Sequence, residues 1–241
     1  MDPIWYFIYI YSIVIFFVSI TLGYFSQRIT MKTFDKFSKI RSICGVTAVD
    51  FTTILLGKAG ITDVRIVKID GKLTDCYDPR NKIVRLSKST VDSNSLAALG
   101  VCAHEVGHAV QHHNHNWLFV TRIKMVPVMN IFSKAFIPLV LVGSLLSFSA
   151  GLPDIGKYVL LFSTITYGLS FLFYLVTLPL EFDASRRAAK MMHDCDFLVP
   201  EEVTAAKKVL NAAIWTYISA LVTSLLYFVK FLLYSRIFDR N

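Results

Sequence analysis

The sequence predicts a mostly α-helical membrane protein, with about four transmembrane helices and a small α+β region around one histidine-bearing helix at the membrane face. Three observations predict it. Four long runs are almost free of charge, two short alternating segments follow the first of them, and His104-Glu105-Val106-Gly107-His108 closes a capped helical stretch. Of the 241 residues, 54% are hydrophobic and only 17% charged, whereas soluble domains carry about a quarter.

Ile4 to Phe25 is uncharged over 22 residues, enough at ~1.5 Å per residue to cross a hydrocarbon core of ~30 Å. It lacks a basic n-region and a small-residue cleavage site, so it reads as a retained anchor. Ala135 to Pro153 is a second run, with Pro138 and Gly143 inside it, and Tyr158 to Leu180 is a third. Ala212 to Tyr234 is the fourth, interrupted only by Lys230, whose stem can snorkel. The expected organisation is a 1–27 anchor, a 28–130 region holding the His-Glu motif, two spans over 131–180, a 181–211 helix, and a C-terminal span over 212–241.

Arg28, Lys32, Lys36, Lys39 and Arg41 follow the anchor, while Asp2 precedes it. The positive-inside rule then places the N-terminus outside and 28–130 in the cytoplasm. The short loop Gly151 to Lys157 suits the outer side; Arg236 and Arg240 count mildly against this orientation. The net charge of +8 is concentrated, with 16 of the 25 Lys and Arg between Arg28 and Lys134, facing anionic headgroups. No nucleic-acid motif accompanies these residues, so nucleic acid is not expected as a partner. Cys44, Cys76, Cys102 and Cys195 form no C-x-x-C pair, which excludes a disulfide scaffold or a thiolate zinc site.

Between anchor and motif, Thr47 to Lys58 has amphipathic spacing and Gly57 and Gly60 to end it. Val64 to Ile69 and Lys82 to Ser87 alternate as strands, the first followed by the turn dipeptide Asp70-Gly71. Tyr77-Asp78-Pro79-Arg80-Asn81 reads as a loop between them, and the expected sheet is antiparallel. Asn94 or Ser95 caps a helix running from about Leu96 to His112. Its apolar stretch, Leu96 to Ala103, is too short to span a bilayer, so the motif is expected in a water-accessible or interfacial layer.

On a helix, His104 and His108 lie one turn apart on one face and can offer two imidazoles to one Zn²⁺. Glu105 beside them is placed to take a proton from water polarised by the metal. This is the H-E-x-x-H arrangement of zinc peptidases. A catalytic zinc needs a third protein ligand. Two spans separate His108 from Glu181, so the chain crosses and returns, bringing Glu181-Phe182-Asp183 to the side of the motif whatever the absolute orientation.

Thr74 to Arg80, Val84 to Ser87, Ala103 to Gln111 and Leu178 to Ala188 together resemble the YugP-type neutral zinc metallopeptidases, small bacterial membrane proteins, nearly end to end. More remotely, the layout resembles HtpX-like membrane proteases. The resemblance implies one zinc ion held by His104, His108 and Glu181 in a zincin-like (gluzincin-type) domain, Glu105 as catalytic base, and a bacterial cytoplasmic membrane as location. It departs at Cys76, where the family often has histidine. It departs again at Ser185, where HtpX-like proteins carry an aspartate.

Asp183 is a candidate to steady a ligand from behind, and Arg186 or Tyr77 to stabilise the oxyanion formed in peptide attack. His112, His113 and His115 are expected as solvated helix-end residues, and Gly107 as a packing residue. The expected activity is zinc-dependent hydrolysis of proteins or peptides near the inner membrane face. The alternative is a non-hydrolytic, zinc-stabilised membrane factor that recruits partners, for which Glu105 would have no purpose. A transporter is disfavoured because Lys230 is the one ionisable group in the spans.

Overall fold

The computed structural model describes residues 3–148 and 153–238. The chain runs α1 (Pro3–Phe37), α2 (Ala48–Lys58), β1 (Arg65–Ile69), β2 (Cys76–Asp78), β3 (Ile83–Ser87), α3 (Leu96–His113), α4 (Trp117–Phe148), α5 (Pro153–Asp194) and α6 (Pro200–Phe238). It is mostly helical with one small sheet. Among the described residues, three helical stretches are long and apolar enough to cross a membrane: Ile10–Phe37, Ile165–Asp194 and Pro200–Leu233. The expected span over Ala135 to Pro153 begins within α4 but extends onto residues 149–152, which lie outside the described residues, as does part of the Gly151 to Lys157 loop.

Contacts divide the chain into two compact units. The first comprises Met1–Phe25, Arg122–Thr177 and Tyr217–Asn241. Aromatic packing holds α5 to α6 within it: the Tyr167 ring stacks on Tyr227 and Phe231, and Phe171 stacks on Phe228. Gly168 makes room for this, since a Cβ there would come within 2.9 Å of the Phe228 ring.

The second unit, Ser26–Thr121 and Leu178–Thr216, contains the sheet, α2, α3 and the polar ends of α5 and α6. The expected cap of α3 forms, and α2 is capped as well. Thr47 accepts from the Asp50 N–H to start α2, and Ser95 accepts from the Ala98 N–H at 3.2 Å to start α3. Each such cap contributes about 1 kcal/mol. The core is apolar and drawn from five elements: Phe51 and Leu55 of α2, Val84 and Leu86 of β3, Leu99, Cys102 and Val106 of α3, Met192 of α5 and Leu210 of α6. At the entry to α6, Pro200 takes the first helical position and Glu202 accepts from the Val199 and Ile43 N–H groups.

The sheet departs from the antiparallel expectation. Its order is β1-β3-β2, with β1 parallel to β3 and β2 antiparallel to β3. The segment read as a loop supplies β2, so the Tyr77 region is the edge strand of the sheet. The reason is topological: after β1, the chain turns through Gly71 (φ 110) and crosses to the far side of β3's position before the hairpin brings β3 back between its neighbours. Asp75 secures the crossing, accepting from Ser87 N at 2.7 Å, Ser87 Oγ at 3.0 Å and Thr90 Oγ1 at 3.1 Å.

Two glycines let α3 lie backbone-to-backbone on its neighbours. A Cβ on Gly107 would sit 2.8 Å from the Ala184 carbonyl oxygen of α5, and one on Gly100 would sit 3.3 Å from the Ala206 Cβ of α6. Gly57 in α2 differs, because a Cβ there would meet nothing within 4 Å. The two positions should therefore respond to alanine with opposite signs. Gly57→Ala gains about 0.5–1 kcal/mol from helix propensity. Gly107→Ala overpacks against a main chain that cannot rotate away, and loses about 1–3 kcal/mol. Thermal unfolding of both variants checks this; a neutral Gly107→Ala would mean that the α3–α5 approach is looser than described.

Candidate active site

α3 presents His104 and His108 on the face that packs against α5, where Glu181 points back at them. His104 Nε2 lies 3.1 Å and His108 Nε2 3.5 Å from the same oxygen, Glu181 Oε2. The three donor atoms all lie within 4.8 Å of one another. A tetrahedral zinc with bonds of 2.0–2.1 Å separates its ligands by roughly 3.3–3.4 Å, and the two observed distances bracket that figure. Glu181 and His108 are buried, and His104 is half-buried.

The proton positions follow from Gln111. Its Nε2 donates to the Leu180 carbonyl at 3.0 Å and to Asp183 Oδ2 at 2.8 Å, which fixes the orientation of the amide. Gln111 Oε1 then faces His108 Nδ1 at 2.9 Å, and only an Nδ1–H can fill that contact. A neutral His108 so arranged directs the Nε2 lone pair at the Glu181 carboxylate. Ser185 Oγ stands 3.2 Å from His104 Nδ1, placed to accept its proton in the same way. Two imidazole lone pairs and a carboxylate oxygen converging on one point require positive charge between them. The donor set fits a zinc ion, with each imidazole held by a polar group on its far nitrogen. Without a metal the same need for positive charge falls on the imidazoles. Burial pushes the Glu181 carboxyl up, but His108 and His104 in their protonated forms, donating from Nε2, outweigh burial and hold Glu181 well below the ordinary range.

Asp183 is not beside the imidazoles. It lies one link behind them, accepting from Gln111 and, at 2.6 Å, from Arg187 Nε. Sequence reasoning passed over Gln111, although it is three residues after His108 and therefore on the same helix face. A fully buried glutamine has to be hydrogen-bonded, which was the available signal. Ser185, four residues after Glu181, meets the other imidazole, that of His104.

Glu105 is buried beside the two histidines, and the backbone of Tyr77 in β2 hydrogen-bonds its carboxylate. Burial pushes Glu105 up to about 7, opposed by the charge of His104 and reinforced by Glu181 and Asp75. The Tyr77 hydroxyl meets His112 Nδ1 at 2.9 Å. Burial raises the phenol to about 12 and lowers the imidazole, so a neutral His112 accepts from a neutral Tyr77. This corrects the expectation for His112, which is half-buried because the antiparallel edge strand covers it; His113 and His115 are exposed as expected. Phe119 completes that wall, its ring 5.8 Å from His108 and 5.5 Å from His112. Asn116 aims it there by accepting from the Leu118 and Phe119 N–H groups at the start of α4. Arg186 is exposed and forms no hydrogen bond with the histidines or Glu181 among the described residues. It lines a cleft between α5 and α6 instead.

The Glu105 carboxyl has a pH consequence for the metal-free protein. Its ordinary value of 4.5 is raised to about 7, so the folded state favours the protonated form. The stability this form provides is complete below about pH 4.5 and is lost as pH rises toward 7, a difference of about 3 kcal/mol by linkage. Glu105→Gln mimics the neutral acid and escapes the loss. The melting temperature of metal-free Glu105→Gln should therefore pull ahead of wild type between pH 5 and pH 8. A constant gap across that range would contradict the burial of this carboxylate.

The chain matches a family model described as "Putative neutral zinc metallopeptidase" over residues 11–236. It is also 36% identical over 212 residues to "Putative membrane protease YugP" of Bacillus subtilis (strain 168), covering 88% of this chain and 91% of that protein. No solved structure matches it. Three helical stretches among the described residues are long and apolar enough to cross a membrane and the relative is named a membrane protease, which together make this an integral membrane protein. A zinc-compatible donor set within an end-to-end match leads to one conclusion: the chain belongs to the family described as putative neutral zinc metallopeptidases.

Proposed function

We propose that this protein is a zinc-dependent endopeptidase of the gluzincin type, hydrolysing peptide bonds of proteins or peptides at the cytoplasmic face of the bacterial membrane. The observation that carries the proposal is the convergence of His104, His108 and Glu181, with Glu105 buried on the same helix one residue from a ligand. His104, His108 and Glu181 would hold the ion. Bound there, Zn²⁺ supplies Lewis acidity toward a carbonyl oxygen and toward water.

Glu105 takes the proton of the attacking water and returns it to the departing amine. Its raised affinity for a proton suits both halves of that transfer. Tyr77, a neutral phenol on the flank of the site, is the candidate to donate to the developing oxyanion by turning its one O–H away from His112, while ring contacts with His112 and Phe119 keep the phenol in place. Gln111, backed by Asp183 and Arg187, fixes the His108 tautomer, and Ser185 orients His104. Substrate can add as an extended strand along the free edge of β2, where main-chain hydrogen bonds ask little of side-chain identity.

Four spans with the N-terminus outside put both Glu181 and the motif on the inner side. The basic residues Arg28 to Arg41 support that orientation. The topology is tested with Asp154→Cys in a background lacking the four native cysteines. An impermeant thiol reagent should label it in intact cells, whereas labelling only after lysis would invert the orientation.

The activity test uses the purified full-length protein and a general unfolded protein substrate. Wild type should cleave it, a chelator should stop cleavage, and Glu105→Gln should lower kcat at least about a hundredfold while retaining stoichiometric zinc. Full activity in Glu105→Gln would remove this residue from the mechanism. Failure of wild type to cleave any peptide bond would favour the non-hydrolytic reading.

A further inference from the structure

A cleft of about 690 Å³ lies between the polar ends of α5 and α6 and meets the support of the candidate active site at Asp183 and Ser185. Its lining is graded along the helices. Pro179, Phe182 and Ile214 form one end, where the apolar runs of α5 and α6 stop and start. Arg186, Lys190 and Lys207 line the rest. All three cations are exposed, and none forms an ion pair among the described residues. Of the two carboxylates that line the cleft, Asp183 is engaged by Arg187 and Gln111, while Asp194 meets His193, itself on the cleft wall, at 3.0 Å, so the three cations outnumber the one carboxylate left without a cationic partner. The cleft therefore presents a positive wall above an apolar floor.

The spacing matches the layers of a bilayer surface. A headgroup layer extends roughly 5–7 Å beyond each side of the hydrocarbon. Arg186 lies one helical turn beyond Phe182, about 6 Å along the axis, and Lys207 lies about 10 Å from Ile214. The long stems of Lys190 and Lys207 can fold back toward the same depth. Trp215, exposed beside Ile214, has the amphipathic ring favoured at that level. A free phosphate would use the cations and leave the apolar floor uncovered. A phospholipid uses both.

We infer that the α5–α6 cleft is a binding site for an anionic glycerophospholipid, with acyl chains along Pro179, Phe182 and Ile214 and the phosphate between Arg186, Lys190 and Lys207. Occupation of this cleft is independent of hydrolysis.

Native mass spectrometry of the full-length protein in detergent tests the inference. With equimolar phosphatidylglycerol and phosphatidylcholine of identical acyl chains, wild type should retain the anionic lipid about tenfold over the zwitterionic one. The preference should weaken in Lys190→Gln/Lys207→Gln and vanish when Arg186→Gln is added. Circular dichroism and zinc content should stay as in wild type, since all three side chains are exposed. Equal retention of the two lipids by wild type overturns the inference, as does an undiminished preference in the triple variant. Displacement of phosphatidylglycerol by millimolar inorganic phosphate also overturns it, by showing that the cleft reads a soluble anion.

Discussion

Two imidazole nitrogens aimed at one carboxylate oxygen form an arrangement that positive charge between them holds together. Here the convergence joins α3 to α5, elements separated by more than seventy residues. Much of the second unit can be understood as what keeps that point fixed. Gly107 removes the side chain that would hold the helices apart, and Gln111 dictates which nitrogen of His108 carries a proton. Ser95 fixes where α3 begins, and the core around Leu99, Cys102 and Val106 fixes its rotation. An error of one residue in register would turn His104 by about 100° away from Glu181.

Placing a carboxylate in such an apolar setting costs stability, and Glu105 carries that cost. Its neighbours Cys102, Ala103 and Val106 are fully buried, so the charged form of Glu105 is disfavoured until a cation arrives beside it. In the proposed mechanism, the same burial gives Glu105 a proton affinity suited to transfer at neutral pH. Stability and reactivity thus pull on one side chain in opposite directions, as is common where a group is tuned for chemistry. The polar scaffold behind the site, Arg187 to Asp183 to Gln111 to His108, is hydrogen-bonded at every link, and Gln111, its fully buried member, uses both its amide oxygen and its amide nitrogen.

Local features were readable directly. Amphipathic spacing placed α2, Asn94 or Ser95 marked the start of α3, and alternation placed β1 and β3 to within one residue. The His-Glu motif and the crossing-and-return argument pointed to Glu181 before any coordinates. What could not be read depended on contacts distant in the chain. The direction of β1 relative to β3 is set by the path between them, and the three residues of β2 are too few to carry a period. His112 looked like a helix-end residue because nothing local says that Tyr77 will cover it. Gln111 looked ordinary because a glutamine reveals its importance only once its burial is known.

X-ray absorption at the zinc edge of the purified full-length protein tests the shared ion most directly. The account predicts two imidazole nitrogens and oxygen donors at about 2.0–2.1 Å, with no sulfur shell, and loss of zinc affinity or of one oxygen scatterer in Glu181→Ala. A spectrum dominated by sulfur near 2.3 Å, or one unchanged by Glu181→Ala, would contradict it.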